Sequence, residues 1–134
     1  MKVEVVPLNW VHRVWATVEP YIAHAMEHSK GECTVEQAKA FVAQGQWALL
    51  VASDEAGIQG AATINFFNRT NDRVAHITAI GGKFISSADN IQQLKNYVVS
   101  MGATCLEGAV RESIARLYKR YGFEEKYRIV EVKL

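Results

Sequence analysis

The chain is poor in the features that would mark several function classes outright. It has two cysteines, Cys33 and Cys105, far apart and without a Cys-x-x-Cys pair, so neither a zinc knuckle nor a disulfide framework is indicated. Cys105 sits in an apolar run and reads as a small buried hydrophobe. There are two prolines, no low-complexity stretch and no internal repeat, which leaves out linker-rich, collagen-like and solenoid chains. Neither sign of charge dominates. Fifteen Lys and Arg against 14 Asp and Glu give a formal net charge of +1, which is no basic field for a nucleic acid or an anionic membrane. No apolar run approaches the ~20 residues of a membrane span, and Met1–Glu4 does not open a signal peptide. The expectation is a soluble cytoplasmic protein with no nucleic-acid and no membrane partner.

What is present is ordinary globular material. The chain has 134 residues, 49% hydrophobic and 22% charged, which suits one domain over residues 1–134. Such a chain buries roughly two thirds of its unfolded surface in a single core. Val3–Val6, closed by Pro7, reads as a first strand. Asn9 can cap a helix whose apolar positions are Val11, Val14, Val18, Ile22 and Ala25, and Pro20 predicts a kink or two short helices there. Residues 29–32 read as a loop. Thr34-Val35-Glu36-Gln37 has capping-box spacing ahead of a second helix. Trp47–Ala52 is a continuous apolar run, read as a buried strand. Asp54–Gly57 is a turn, and Ile58–Phe67 and Arg73–Ile80 complete an antiparallel meander.

Gly81-Gly82 reads as a break, after which Ser86 or Ser87 caps a helix bearing Ile91, Leu94, Val98 and Met101. Ala103–Ala109 is a strand, Ser113–Tyr121 a helix, and Phe123–Leu134 a closing strand. The order β-α-α-β-β-β-α-β-α-β predicts an α/β fold, a mixed sheet with helices on its faces.

That order resembles the GNAT (GCN5-related N-acetyltransferase) superfamily over almost the whole chain. The segment from Ser113 to Glu124, with Leu117 and Tyr118 a few residues ahead of Gly122-Phe123, is similar to the family's late helix–strand signature. The resemblance implies an acyl-CoA N-acyltransferase fold and direct transfer of an acetyl group from acetyl-CoA to an amine acceptor, small molecule or protein. Acetyl-CoA would be a co-substrate, entering a V-shaped split between the strands Arg73–Ile80 and Ala103–Ala109. Tyr118 matches the family's tyrosine at the thioester sulfur and would be a general acid; its place on the apolar face equally suits simple packing. Proteins of the superfamily are often homodimers.

The strand-to-helix segment, Ile80, Gly81, Gly82 and Lys83 through Ser86 and Ser87, corresponds to the pyrophosphate loop but departs from the family's Q/R-x-x-G-x-G/A form. It keeps two glycines, one cation and a capping serine pair, while Asp89 adds a negative charge. Arg111 stands where many members have asparagine; it can meet a phosphate or pair with Glu112 or Glu107. Arg116, with Lys119 and Arg120, forms a basic stripe that can steer phosphates or be a wet helix face. For the base that deprotonates the amine, His76 and Glu107 are the candidates within the two strands. An imidazole suits the task near neutral pH, whereas a glutamate needs burial to raise its pKa. Trp10, His28 and Glu32 are candidates for the acceptor side. His24 and His28 have the i, i+4 spacing of metal ligands but no third ligand at firm spacing, so no metal is expected. The altered loop leaves an alternative reading, a GNAT-fold module without catalysis that binds or builds, of a kind also found among phage-encoded proteins.

Overall fold

The computed structural model describes residues 1–28 and 32–134; the loop expected over 29–32 falls, for 29–31, outside the described residues. Strand β1 is Lys2–Val5, and a 3-10 turn at Leu8–Trp10 leads into helix α1, Val11–Met26. Helix α2 is Val35–Ala43, and strands β2, Trp47–Asp54, β3, Gly57–Asn68, and β4, Arg73–Gly82, follow as the meander. A 3-10 turn at Lys83–Ser86 precedes helix α3, Ala88–Ser100; strand β5, Cys105–Gly108, and helix α4, Glu112–Lys119, come last. The sheet runs β1-β2-β3-β4-β5, antiparallel throughout except for the β4–β5 pair, which α3 makes parallel. The expected mixed α/β architecture is thus the one observed.

Both faces of the sheet are covered, which is why Trp47–Ala52 does not alternate. Leu49 and Val51 pack beneath α1 and α2 with Val11, Trp15, Val18, Ile22 and Val42. Leu50 and Ala52 pack on the other face with Leu94 and Val98 of α3 and Tyr118 of α4. The capping box at Thr34 forms as read: its hydroxyl accepts from the Gln37 N–H while the Gln37 side chain accepts from the Thr34 N–H. Ser87, not Ser86, caps α3, accepting from the Asn90 N–H.

Four readings need correction. Asn9 lies inside the 3-10 turn, and the residue capping α1 is Trp10, without a side-chain bond. Of the two readings at Pro20, a kink or two short helices, the second does not hold: α1 is continuous from Val11 to Met26. An interior proline costs about 3 kcal/mol, but Val18 and Ile22 on either side of it are fully buried, each worth about 1.5–3 kcal/mol. Gly81 and Gly82 do not break the strand; they pair with Ala61 and Gly60 as the end of β4. The closing strand is absent: from Glu124 to Leu134 the chain is exposed and joins no sheet among the described residues. Only Phe123 docks, edge-on to Tyr118 with ring centroids 4.8 Å apart.

Candidate functional site

The site begins with a bulge. Thr63 pairs with Ala79 and Ile64 with Ile77, leaving Thr78 as an extra residue in β4. The Thr78 hydroxyl anchors it by donating to the Thr63 carbonyl at 3.0 Å and lying 2.6 Å from the Thr63 hydroxyl. A bulge turns the following side chains to the opposite face. Ala75 and Ile77 accordingly pack with α3 and α4, whereas Ala79 packs under α1.

At the same place β4 parts from β5. Their parallel register runs from Val74 opposite Cys105 to Ile77 opposite Gly108 and stops there, while β4 keeps its pairing to β3 as far as Gly82. From Thr78 onward the β4 edge that faced β5 has no strand partner among the described residues.

His76 and Glu107 are register partners one pair before that ladder ends. Alternation along β4 puts His76 on the face opposite Ala75 and Ile77, the face of α1 and α2. Its Nδ1 lies 2.6 Å from Glu107 Oε2. Glu107 is gripped from its other side by Arg69 in the β3–β4 turn, whose guanidinium donates to both carboxylate oxygens and lies 5.0 Å from the Phe67 ring. The Arg69 hydrogen bond is the largest influence and holds the Glu107 carboxyl below its ordinary pKa; partial burial works against it, and the His76 contact adds to the lowering. Glu107 is therefore a poor proton acceptor near neutral pH. It is an anion that fixes the imidazole by Nδ1 and leaves Nε2 out of that contact. The alternative pairing of Arg111 with Glu107 does not form among the described residues; the cation on Glu107 is Arg69, which no local sequence pattern points to. The signal needed was the β4–β5 register, which brings Glu107 level with His76 near the β3–β4 turn.

Tyr118 sits on the opposite face, 5% exposed, in the cluster containing Ile77, Phe84 and Leu94. Burial pushes its phenol up to about 12, and no hydrogen bond contributes to that rise. The consequence for stability has a definite sign. The folded phenol keeps its proton up to about 12, and the unfolded one loses it near about 10. The stabilisation is complete below the unfolded value and is lost as pH rises to the folded one. Roughly 2–3 kcal/mol should vanish across that window. Urea titrations of wild type and Tyr118→Phe at pH 9 and pH 12 should show this extra alkaline loss in wild type alone; equal losses would refute the assignment.

The expected coenzyme loop is closely packed. A Cβ on Gly81 would stand 2.4 Å from the Tyr21 carbonyl oxygen of α1, and one on Gly82, which has φ +67, 2.4 Å from the Gln59 carbonyl oxygen. These glycines let α1 and β3 approach the end of β4. Ile80 follows the bulge, paired with Ala62 of β3 and without a strand partner on the β5 side. Lys83 is exposed, and its carbonyl accepts from the Ser86 hydroxyl at 2.6 Å. The buried Asn90 amide donates to the Phe84 carbonyl at 3.0 Å and ties the turn to α3. Arg111 and Arg116 are exposed on and beside α4.

On the acceptor side, Trp10 is exposed with the Arg13 guanidinium 4.3 Å from its ring. His28 lies edge-on to His24, 6.2 Å between centroids, and Glu32 is exposed. No hydrogen bond or ion pair joins Trp10, His28 or Glu32 to the His76–Glu107 pair among the described residues. The described residues contain no group of three potential metal ligands, and no helix among them is long and apolar enough to cross a membrane.

No family model matches the chain, and no curated protein matches it in sequence. Its fold does match solved acetyltransferases. An aminoglycoside acetyltransferase from an uncultured soil metagenomic sample, solved with sisomicin, superposes with TM-score 0.72 at 13% identity, over 99% of this chain and 95% of that one. A ribosomal-protein-alanine N-acetyltransferase from Brucella melitensis biovar Abortus 2308 gives TM-score 0.68 at 11% identity, with both chains fully covered. A predicted acetyltransferase from Clostridium acetobutylicum, solved with acetyl-CoA, gives TM-score 0.65 at 13% identity, over 98% and 95% of the two chains. At such identities the likeness is one of fold.

Proposed function

We propose that this chain is an N-acetyltransferase that passes the acetyl group of acetyl-CoA directly to an amine through a gap between β4 and β5 beyond the end of their ladder. The observation that carries the reading is the placement of two groups of complementary chemistry on opposite faces of the sheet where that ladder ends. His76, held by Glu107, stands on the α1 and α2 side. Tyr118 stands on the α3 and α4 side. A thioester lying in the gap would present its carbonyl carbon to an amine approaching from the His76 face and its sulfur towards Tyr118.

The proposed step balances as follows. His76 Nε2 takes one proton from the ammonium of the acceptor, whose freed lone pair forms the new C–N bond to the acetyl carbon. The C–S bond breaks, and the sulfur leaves as the coenzyme thiolate. Attack on the carbonyl carbon leaves a second proton on the nitrogen, which departs as the amide forms and restores neutrality at the thiolate. A phenol near 12 is a weaker acid than a thiol near about 8.5. Tyr118 therefore serves better as a hydrogen-bond donor to the departing sulfur than as the final source of its proton. Ionised Glu107 also favours an acceptor that arrives as a cation.

The loop at Gly81 to Ser87 is the strongest argument for the competing reading, a GNAT-fold module without catalysis. The two readings separate in a thiol-release assay with acetyl-CoA and a panel of primary amines, including polyamines, aminoglycosides and peptide N-termini. Acetyl-CoA-dependent thiol release with at least one amine, and none without it, supports transfer. A uniform absence of turnover supports the module.

A further inference from the structure

We infer that the amine acceptor lies along a row of side chains crossing the sheet from His76 to Trp47, and that it is a primary amine bearing an aromatic ring. The inference rests on the transferase reading above and names the acceptor class for that same site. Register places the row. Trp47 of β2 stands opposite Asn65 of β3, Asn65 opposite His76 of β4, and His76 opposite Glu107 of β5. Register partners share a face of the sheet. All four side chains therefore lie on the α1 and α2 side, where Trp47 packs at the border of that core.

The helical cover of this face ends at the row. One pair further in, Leu49 and Thr63 are 1% and 0% exposed. Trp47, Asn65, His76 and Glu107 are each half-buried. Four neighbouring strands thus lose their cover at one level, which makes a shelf that a ligand can reach.

The chemistry of the shelf changes along its length. At one end Glu107 holds the His76 imidazole by Nδ1, and Arg69 grips Glu107. One anion and one cation flank this end, which suits a single ammonium; a second ammonium would find no further carboxylate in the row. In the middle Asn65 contributes a neutral amide, with two donors and an acceptor. At the far end the Trp47 indole stacks on Phe41 of α2, with ring centroids 4.6 Å apart and 24° between the planes. Phe41 is itself 36% exposed, so the aromatic pair is open to a third ring. Trp47 also lines an apolar hollow of about 280 Å³ together with Leu8 and Val42. Two strand spacings, roughly 10 Å, separate the backbones of His76 and Trp47. That span fits an arylalkylamine with its nitrogen at the imidazole and its ring against the indole.

Nuclear magnetic resonance titration of the full chain with 2-phenylethylamine tests the row without any transfer step. The Trp47 indole N–H and the Asn65 side-chain amide should both shift and saturate, and 1,4-diaminobutane at the same concentration should move them little. Thiol release with acetyl-CoA tests the class: kcat/KM should be about tenfold higher for 2-phenylethylamine than for 1,4-diaminobutane. Trp47→Leu should bring the two amines to within about threefold of each other, chiefly by raising KM for the aromatic one. Asn65→Asp should raise kcat/KM for the diamine about tenfold by giving its second ammonium a carboxylate. Well-dispersed spectra check that both variants are folded. Signals of Trp47 and Asn65 that stay still at millimolar 2-phenylethylamine overturn the inference, and so does a wild type that prefers the diamine. Shifts at both residues without thiol release from any amine would uphold the row as a site for aromatic amines and refute the transferase reading instead.

Discussion

His76→Ala is expected to lower kcat for acetyl transfer at neutral pH by about 10²–10³-fold, the contribution of a well-placed general base. Acetyl-CoA affinity should stay within about twofold, because His76 lies on the amine side of the gap. The side chain is 29% exposed and its bond is to Glu107, so melting temperature should move little. Arg69→Ala should act on the same step more weakly. It releases one grip on Glu107 and loosens the imidazole without removing it, so kcat should fall about tenfold. Steady-state thiol release for the three proteins checks the order. A His76→Ala enzyme within threefold of wild type would place the base elsewhere.

Gly81→Ala is expected to be strongly destabilising for the addition of a single methyl. The added carbon would meet main chain, not a side chain that can swing away: the Tyr21 carbonyl oxygen at 2.4 Å and its carbonyl carbon at 3.1 Å. Relief requires α1 to lift from the sheet, where Val18 and Ile22 are fully buried. The loss should be about 3 kcal/mol, or roughly 10 °C in Tm. Gly57→Ala is the control for turn strain without contact, since nothing lies within 4 Å of the added carbon despite φ +112; its cost should be nearer 1 kcal/mol, as is usual for a left-handed turn position. Differential scanning calorimetry separates the two, and equal costs would mean that the α1 contact yields.

The same glycine pair shows where the sequence could be read and where it could not. A Gly-Gly after an apolar run signals a break by local rules, and the local rules lost to tertiary packing. The pair continues β4 because a helix backbone crosses directly over it, a fact carried by Tyr21 far away in the chain. The capping box at Thr34 and the doubly covered strand Trp47–Ala52 were legible because their causes are local or periodic. His76 and Glu107 were legible as separate candidates, but their pairing was not. It depends on a parallel register four residue pairs long and on a bulge at Thr78 that no local residue pattern announces. Arg69 was missed for the same reason. The surroundings also changed the expected roles: Arg69 makes Glu107 more acidic than an ordinary carboxyl, and burial makes Tyr118 less acidic than an ordinary phenol. The tail from Glu124 has the alternation of a strand, but alternation says nothing about which edge accepts it.

The central claim is that the gap between β4 and β5 receives a thioester coenzyme even though the Gly81–Ser87 segment lacks the family's usual phosphate loop. Calorimetric titration of the full chain with acetyl-CoA tests it most directly. The account predicts one binding event per chain with a dissociation constant within the range of about 1 µM to 1 mM usual for enzyme substrates. It also predicts weaker binding when Tyr118 is replaced by Ala, which removes a wall of the coenzyme face. Absence of any binding heat with millimolar acetyl-CoA would contradict it.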